Sequence, residues 1–144
     1  MALTTRQIEI LLVEDNPADA TLLTECLRQV SIPYHLSLVT DGAAALAFLI
    51  RQAPYTKAPT PDLLLLDIRL PHKSGWEVLA WVRASPFLTG RPVVMLTGLF
   101  SPYDEEQIEH LQPTRCLLKP RALEDLARIA QVIETVMRQY PPLG

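Results

Sequence analysis

The feature that most constrains the fold of this chain is a repeated change in its hydrophobic pattern. Short, nearly continuous apolar runs alternate with longer stretches in which apolar residues recur at helical spacing. Short apolar runs bounded by turn residues are typical of buried strands, and their alternation with helices is typical of a parallel sheet covered on both faces. The five predicted strands are Ile8–Val13, Tyr34–Thr40, Asp62–Asp67, Arg91–Thr97 and Thr114–Lys119.

The segments between the strands carry the start signals of helices. Asp15 or Asn16 can cap the first helix, and Pro17 suits its first turn. Asp41 precedes a second segment that is rich in helix-forming residues, and Pro102 begins the fourth helix. Most of the 13 prolines lie between the predicted elements, where they act as breaks. We therefore expect a strand–helix unit that is repeated five times.

Composition and charge narrow the class of protein. The 144 residues suffice for one domain, and 49% of them are hydrophobic. The net charge of −3 and the lack of a basic run predict no binding to nucleic acid or to a membrane surface. The two cysteines make no disulfide framework, and the N-terminus has the pattern of neither a signal peptide nor a membrane span. We expect a single cytoplasmic domain over residues 1–144.

Hydrophilic residues stand at the ends of four predicted strands. Glu14 and Asp15 follow the first strand, and Asp67 ends the third. Thr97 ends the fourth strand and Lys119 ends the fifth. In an open parallel sheet, sites form beyond the carboxyl ends of the strands. We therefore expect these side chains to share one edge of the sheet.

This set of side chains suits phosphoryl transfer. Three carboxylates cannot all remain ionised at close range without a cation, and their oxygen atoms suit Mg²⁺. The metal can contact a phosphoryl oxygen, while Lys119 neutralises a second and the Thr97 hydroxyl donates to a third. Asp67 can act as a nucleophile that forms an acyl phosphate. The residues thus predict magnesium-dependent phosphoryl transfer onto an aspartate.

Several segments, in order, resemble the receiver domain of bacterial two-component response regulators. They are LLVEDNPAD around Glu14, PDLLLLDIRLP around Asp67, VVMLTG ending at Gly98 and LLKP around Lys119. Their spacing is similar to that of the family, and the resemblance covers essentially the whole chain. It implies a flavodoxin-like, doubly wound α/β fold with five helices and a five-stranded parallel sheet in the order 2-1-3-4-5.

The resemblance implies a role for each residue of the acidic group. Glu14 and Asp15 are expected to bind Mg²⁺. Asp67 is expected to contact the metal and to accept the phosphoryl group from a sensor histidine kinase. Arg69, two residues further on, is expected to offer its backbone carbonyl to the metal, while its side chain is expected to be solvated.

The resemblance also implies which residues contact the phosphoryl group. The Thr97 hydroxyl, the Gly98 backbone N–H and the Lys119 ammonium are expected to do so, and the peptide bond between Lys119 and Pro120 is expected to be cis. The family usually has Tyr or Phe three residues before this lysine, where the present chain has Cys116. This departure puts the family's aromatic switch in question, and Cys116 is expected to act as a small apolar side chain.

The chain is expected to lack an output domain, because only PPLG follows the last helical segment. A stand-alone receiver would act by phosphorylation-dependent binding of a partner or by phosphorelay to a histidine of another protein. The VEDNPAD pattern and the proline-rich loop before the third strand resemble stand-alone receivers that are paired with phytochrome-type sensor kinases.

The last predicted helix has an apolar stripe that is wider than one core contact requires. The inward residues of the stripe are Leu126, Ala130, Ile133, Met137 and Tyr140. Ile129, Val132 and Val136 widen it on one side. We therefore predict a homodimer through the face made by helix 4, strand 5 and helix 5, beside the simpler interpretation of a well-covered core helix.

Two bulky residues flank the expected site. Arg69 stands two residues after Asp67, and Leu99 stands two residues after Thr97. Our hypothesis is that their bulk restricts the attacking water and so sets the lifetime of the phosphoryl group.

Two other functions compete with the signalling phosphoacceptor. A pseudo-receiver would bind partners without carrying phosphate, which the complete set of five site residues argues against. A phosphatase of the haloacid dehalogenase type also uses an aspartate nucleophile. That chemistry needs a second aspartate where Arg69 stands, and a cap domain for which 144 residues leave no room.

Overall fold

A computed structural model of the chain describes residues 6–142, which contain a five-stranded sheet with only parallel pairings. The strands are β1 (Ile8–Val13), β2 (Tyr34–Val39), β3 (Leu63–Asp67), β4 (Val93–Thr97) and β5 (Arg115–Leu118). Their order in the sheet is β2-β1-β3-β4-β5. The predicted doubly wound α/β fold and its strand order are confirmed.

A helix follows each strand, as the alternating pattern predicts. The helices are α1 (Pro17–Arg28), α2 (Gly42–Leu49), α3 (Gly75–Ala84), α4 (Pro102–Leu111) and α5 (Leu123–Gln139). Asn16 rather than Asp15 caps α1, because its side chain accepts the N–H groups of Ala18 and Asp19 at 2.9 and 3.1 Å. None of the helices within residues 6–142 combines the length and apolar character needed to cross a membrane.

The strand β3 lies at the centre of the sheet and is buried along its whole length. Leu63 to Leu66 are at most 1% exposed, because β1 and β4 flank the strand and helices cover both faces. Asp67 is the last residue of the strand, as predicted, and is only 3% exposed. A tightly packed strand therefore fixes the position of this carboxylate.

The start of α3 closes directly onto the end of β3. The Gly75 N–H donates to the Ile68 carbonyl at 3.0 Å. A Cβ atom at position 75 would lie 2.3 Å from the carbonyl oxygen of Asp67, so only glycine permits this approach. The loop that contains Arg69 is therefore short and held at both ends.

The ends of several strands differ slightly from the prediction. The strand β4 begins at Val93 rather than Arg91, and Pro92 has no N–H to give to a neighbouring strand. The strand β5 omits Thr114, whose hydroxyl instead accepts the Val93 N–H at 3.0 Å. These shifts leave the order of the predicted site residues along the sheet edge unchanged.

The wide apolar stripe of α5 is a core feature rather than a free surface. Ile129 and Val136 are 1% and 0% exposed, and they belong to the cluster that joins α5, α1 and the sheet. Val132 is partly buried against the same cluster. Tyr140 follows the end of α5 and is 42% exposed, so its predicted inward position is wrong. A helix that packs on both a sheet and a second helix needs a wider apolar face than one contact requires.

Candidate functional site

The carboxyl ends of β1 and β3 bring three carboxylates together. Glu14, Asp15 and Asp67 each place an oxygen within 4.8 Å of the others. Glu14 and Asp67 are buried at 1% and 3% exposure, whereas Asp15 is exposed. The parallel pairing of β1 with β3 aligns Val13 with Leu66, which sets the two strand ends side by side. The acidic group that the sequence predicts is therefore present at this edge.

The Lys119 ammonium lies among these acids at the end of β5. Its Nζ is 3.0 Å from Asp67 Oδ2 and 2.8 Å from Glu14 Oε1. A further carboxylate that the sequence analysis did not include, Asp19, accepts from the same Nζ at 2.9 Å. Burial lowers the pKa of Lys119, but its carboxylate partners outweigh this and leave the pKa raised. The lysine is therefore a fixed, protonated cation.

The position of Asp19 in the chain suggests a place near the site but not its contact with Lys119. It lies in the first turn of α1, and Asn16 caps the start of that helix at the same sheet edge. Acidic residues in a first helical turn are common for reasons of helix stability alone, so the local pattern gives no sign of a distant lysine partner.

The charges at this edge do not balance. The ammonium of Lys119 contacts three carboxylates, and a fourth, that of Asp15, adds its charge beside them. Burial raises the pKa of Glu14 to about 7, although the adjacent Lys119 lowers it, and the charge of Asp67 raises it further. Glu14 Oε1 contacts the Lys119 charge but accepts no well-directed hydrogen bond within the described residues. A buried carboxylate oxygen is therefore available to a further cation.

This donor set fits a divalent cation such as Mg²⁺. Magnesium prefers oxygen ligands, takes one or two carboxylates directly and retains several waters. Glu14, Asp15 and Asp67 supply carboxylate oxygens, and the exposure of Asp15 leaves the group open to solvent. A bound metal ion would offset the excess negative charge and would stabilise negative charge on a phosphoryl oxygen.

Thr97 ends β4 at the same edge and is 1% exposed. Its hydroxyl donates to the Leu99 carbonyl at 3.1 Å, which places Gly98 inside a tight turn. The Lys119 N–H donates to the Thr97 carbonyl at 2.8 Å and so ties the end of β5 to the end of β4. The hydroxyl and the ammonium that the sequence predicts thus belong to one rigid edge.

Arg69 departs from the prediction, because its guanidinium is not simply solvated. The backbone N–H donates to Asp67 Oδ1 at 3.1 Å. The guanidinium donates to both carboxylate oxygens of Asp104, at 2.9 and 2.5 Å, although the side chain is 52% exposed. Asp104 is fully buried in the first turn of α4, and the Arg69 hydrogen bonds hold the pKa of its carboxyl well below the usual range.

Asp104 escaped the sequence analysis because its sequence pattern has a local explanation. Ser101 and Asp104 form a capping box, which by itself accounts for an acid at this position. The hydrogen bonds that Asp104 accepts from Arg69 and from Trp76 Nε1, the latter at 2.9 Å, join residues that are far apart in the sequence. A local pattern does not predict them.

Two further predictions concern β5. Cys116 is partly buried, and burial together with the charge of Asp104 raises the pKa of its thiol to about 11, as expected for an unreactive small side chain. The predicted cis peptide between Lys119 and Pro120 is wrong, because the cis bond among the described residues is Ala53–Pro54. The trans form is the more stable one for most X–Pro bonds, and here it still allows Lys119 to reach the acids.

Comparison with known families agrees with this geometry. Residues 10–131 match the response regulator receiver domain. The chain therefore belongs to the receiver domain family of two-component signalling.

Individual relatives make the family resemblance more specific. The chain is 43% identical to the response regulator Rcp1 of Synechocystis sp. over 126 residues, which cover 88% of this chain and 86% of Rcp1. The crystal structure of the Mn²⁺-bound form of Rcp1 matches with a TM-score of 0.81 at 39% identity, covering 95% of this chain and 97% of that one. The phosphorylated cyanobacterial phytochrome response regulator RcpA matches with a TM-score of 0.79 at 33% identity, covering 94% of each chain.

Proposed function

We propose that this chain is a stand-alone receiver that accepts a phosphoryl group on Asp67 from a sensor histidine kinase. The observation that carries the proposal is the buried Asp67 carboxylate between one fixed ammonium, Lys119, and two further acids, Glu14 and Asp15. In this proposal the three acids and the backbone carbonyl of Arg69 would hold Mg²⁺, directly or through its waters.

The residues of the chain have distinct tasks in the transfer. A carboxylate oxygen of Asp67 attacks phosphorus as the bond to the donor breaks, and the donor nitrogen or oxygen leaves with the bonding electron pair. Lys119 neutralises one phosphoryl oxygen, while the Thr97 hydroxyl and the Gly98 N–H donate to others. The buried ends of β3 and β4, and the hydrogen bond from the Lys119 N–H to the Thr97 carbonyl, hold these groups in place before the donor arrives.

The relatives support a narrower proposal about partners. The similarity of this chain to Rcp1 extends over 86% of that response regulator, which supports the same general role in signalling. RcpA is a phytochrome response regulator, and the similarity of this chain to it supports a phytochrome-type kinase as the donor. We expect the protein to act in the cytoplasm, and to signal by binding a partner or by phosphorelay rather than by turnover of a small molecule.

The proposal is tested with acetyl phosphate and Mg²⁺, followed by intact mass measurement. We expect the mass of one added phosphoryl group in the wild type and none in Asp67→Asn. Asp62→Asn is the matched control, because Asp62 is equally buried but lies at the opposite end of β3. No adduct in the wild type would favour a pseudo-receiver, and repeated turnover of phosphomonoesters would favour a phosphatase.

The lifetime of the phosphoryl group remains tied to Arg69 and Leu99 in this proposal. Leu99 is 76% exposed, and its carbonyl accepts from Arg69 Nη2 at 3.3 Å, so the two residues border the same opening. We expect small polar replacements at both positions to accelerate hydrolysis of the acyl phosphate. An unchanged rate of phosphate release from the purified phosphoprotein would refute the idea.

The proposed homodimer through α4, β5 and α5 now depends on different residues from those first expected. The apolar side chains exposed on these elements are Tyr103, Leu118 and Leu123, at 60, 46 and 81%. Analytical ultracentrifugation with and without beryllofluoride tests the dimer. If the sedimentation coefficient matches a monomer both with and without beryllofluoride, the proposed homodimer is excluded.

A further inference from the structure

The carboxylate of Asp104 is a junction between three segments of the chain. Its Oδ1 accepts from Arg69 Nη1 and from Trp76 Nε1, each at 2.9 Å. Its Oδ2 accepts from Arg69 Nη2 at 2.5 Å and from the Ser101 N–H at 2.8 Å. The donors belong to the loop after β3, to α3 and to the loop before α4. A fully buried carboxylate with four donors holds these segments in one arrangement.

Arg69 contacts both this junction and the proposed phosphorylation site. Its backbone N–H donates to Asp67 Oδ1, and its guanidinium grips Asp104. Since α3 closes tightly behind this loop at Gly75, the loop has little slack. One residue therefore contacts both Asp67 and the first turn of α4.

The Leu99 carbonyl provides a second connection. It accepts from the Thr97 hydroxyl at 3.1 Å and from Arg69 Nη2 at 3.3 Å. A hydroxyl has one proton, so Thr97 cannot donate to a phosphoryl oxygen and to Leu99 at once. When Thr97 turns to the phosphoryl group, Arg69 becomes the remaining side-chain donor to Leu99 among residues 6–142.

The neighbouring position on β5 has only a small side chain. Cys116 is partly buried and packs against the core cluster that contains Trp76. Because position 116 carries no aromatic ring, an aromatic side chain of β5 cannot connect Thr97 to α4 at this position.

We infer that the Arg69–Asp104 pair couples the phosphorylation state of Asp67 to the position of the first turn of α4. This inference rests on the proposed function, because it needs a phosphoryl group at Asp67. Arg69 acts here as a positioning residue rather than a catalytic one.

Hydrogen exchange in the first turn of α4, measured with and without Mg²⁺ and beryllofluoride, tests the coupling. We expect a change of about tenfold in the wild type, within the usual range for coupled sites, and less than about twofold in Asp104→Asn. The asparagine keeps an oxygen acceptor for Trp76 but loses the charge that holds Arg69. Trp76 fluorescence in a Trp81→Phe background should lose its beryllofluoride response in the same variant.

A matched control is available in α5. Asp125 occupies the same capping position in α5 as Asp104 does in α4, and it accepts the N–H groups of Arg121 and Ala122. Asp125→Asn should keep the full response at α4. Arg69→Lys keeps the charge but loses the two-pronged contact, so its response should be intermediate, and this variant serves if Asp104→Asn does not fold.

The possible failures can be told apart. Beryllofluoride loading is measured separately by ¹⁹F NMR. If the wild type does not load, the proposed function fails and this inference fails with it. If both proteins load and Asp104→Asn responds like the wild type, the coupling inference alone is overturned.

Discussion

Both ends of the parallel sheet contain buried aspartates. Arginine side chains neutralise the aspartate at the amino end, whereas acids outnumber cations at the carboxyl end. At the amino end of β3, Asp62 accepts two hydrogen bonds from Arg6, at 2.7 and 2.8 Å, and one from the Glu9 N–H at 2.8 Å. Arg91 approaches the same carboxylate at 3.5 Å. At the carboxyl end, the ammonium of Lys119 contacts three carboxylates, and the carboxylate of Asp15 lies beside them.

The difference appears in the proton affinities of the two ends. Burial raises the pKa of Asp62, but the hydrogen bonds from Arg6 and Glu9 outweigh it, and the pKa is lowered overall. At the other end, burial prevails and raises the pKa of Glu14 to about 7. At the amino end, the buried carboxylate of Asp62 therefore already has its cationic partners and hydrogen-bond donors. The carboxyl end has an excess of negative charge that a bound metal ion would offset.

The largest expected contrast is in the stability of the Asp62→Ala variant. Removal of this carboxylate leaves Arg91, 16% exposed, without its described ionic partner and removes the hydrogen bonds from Arg6 and from the Glu9 N–H. We expect the free energy of unfolding to fall by about 2 to 4 kcal/mol. Urea unfolding measures this free energy. A decrease no larger than that of a typical surface substitution would contradict the structural role assigned to the amino end.

Asp67→Asn should change stability in the opposite direction when no metal is present. The substitution weakens the hydrogen bonds from Lys119 and Arg69, but it removes one charge from a crowded group of acids. We expect a gain of about 1 kcal/mol in the free energy of unfolding, because relief of repulsion exceeds the loss of hydrogen bonding. Urea unfolding in the presence of a chelator checks the sign.

A smaller contrast should appear in the pH dependence of stability. Because the pKa of Asp62 is lower in the folded protein than its ordinary value of 3.8, its contribution is complete well above that value. It is lost as the pH falls through the lowered folded pKa. The stability difference between wild type and Asp62→Asn should therefore stay constant from neutral pH to about 5 and shrink below 3.8. If this stability difference instead increased as the pH was lowered, the predicted decrease in the pKa of folded Asp62 would be wrong.

The reasons why sequence patterns predict one end of the sheet and not the other are physical. The acids and the lysine of the carboxyl end follow apolar runs, so a parallel sheet brings them together whatever the loops do. Asp62 is predicted only as part of a strand, because nothing local shows that Arg6 and Arg91 converge on it. Residues that meet only through tertiary structure produce no periodic pattern in the sequence.

The same limit explains the corrections on the other elements. Arg69 is expected to be solvated because it lies in a loop, yet its side chain reaches a buried acid 35 positions away. The stripe on α5 is expected to exceed the needs of the core, because the pattern of one helix does not show how many neighbours it has. Local patterns predict elements and strand ends well, but not side-chain reach or the number of packing partners.

The central claim is that the carboxyl end of the sheet is short of positive charge in order to hold a divalent cation. Isothermal titration calorimetry with Mg²⁺ tests this most directly, using the wild type, Asp15→Asn and the control Asp62→Asn. We predict one site in the wild type, affinity at least about tenfold weaker in Asp15→Asn, and unchanged affinity in Asp62→Asn. No Mg²⁺ binding by the wild type, or equal affinity in wild type and Asp15→Asn, would contradict the account.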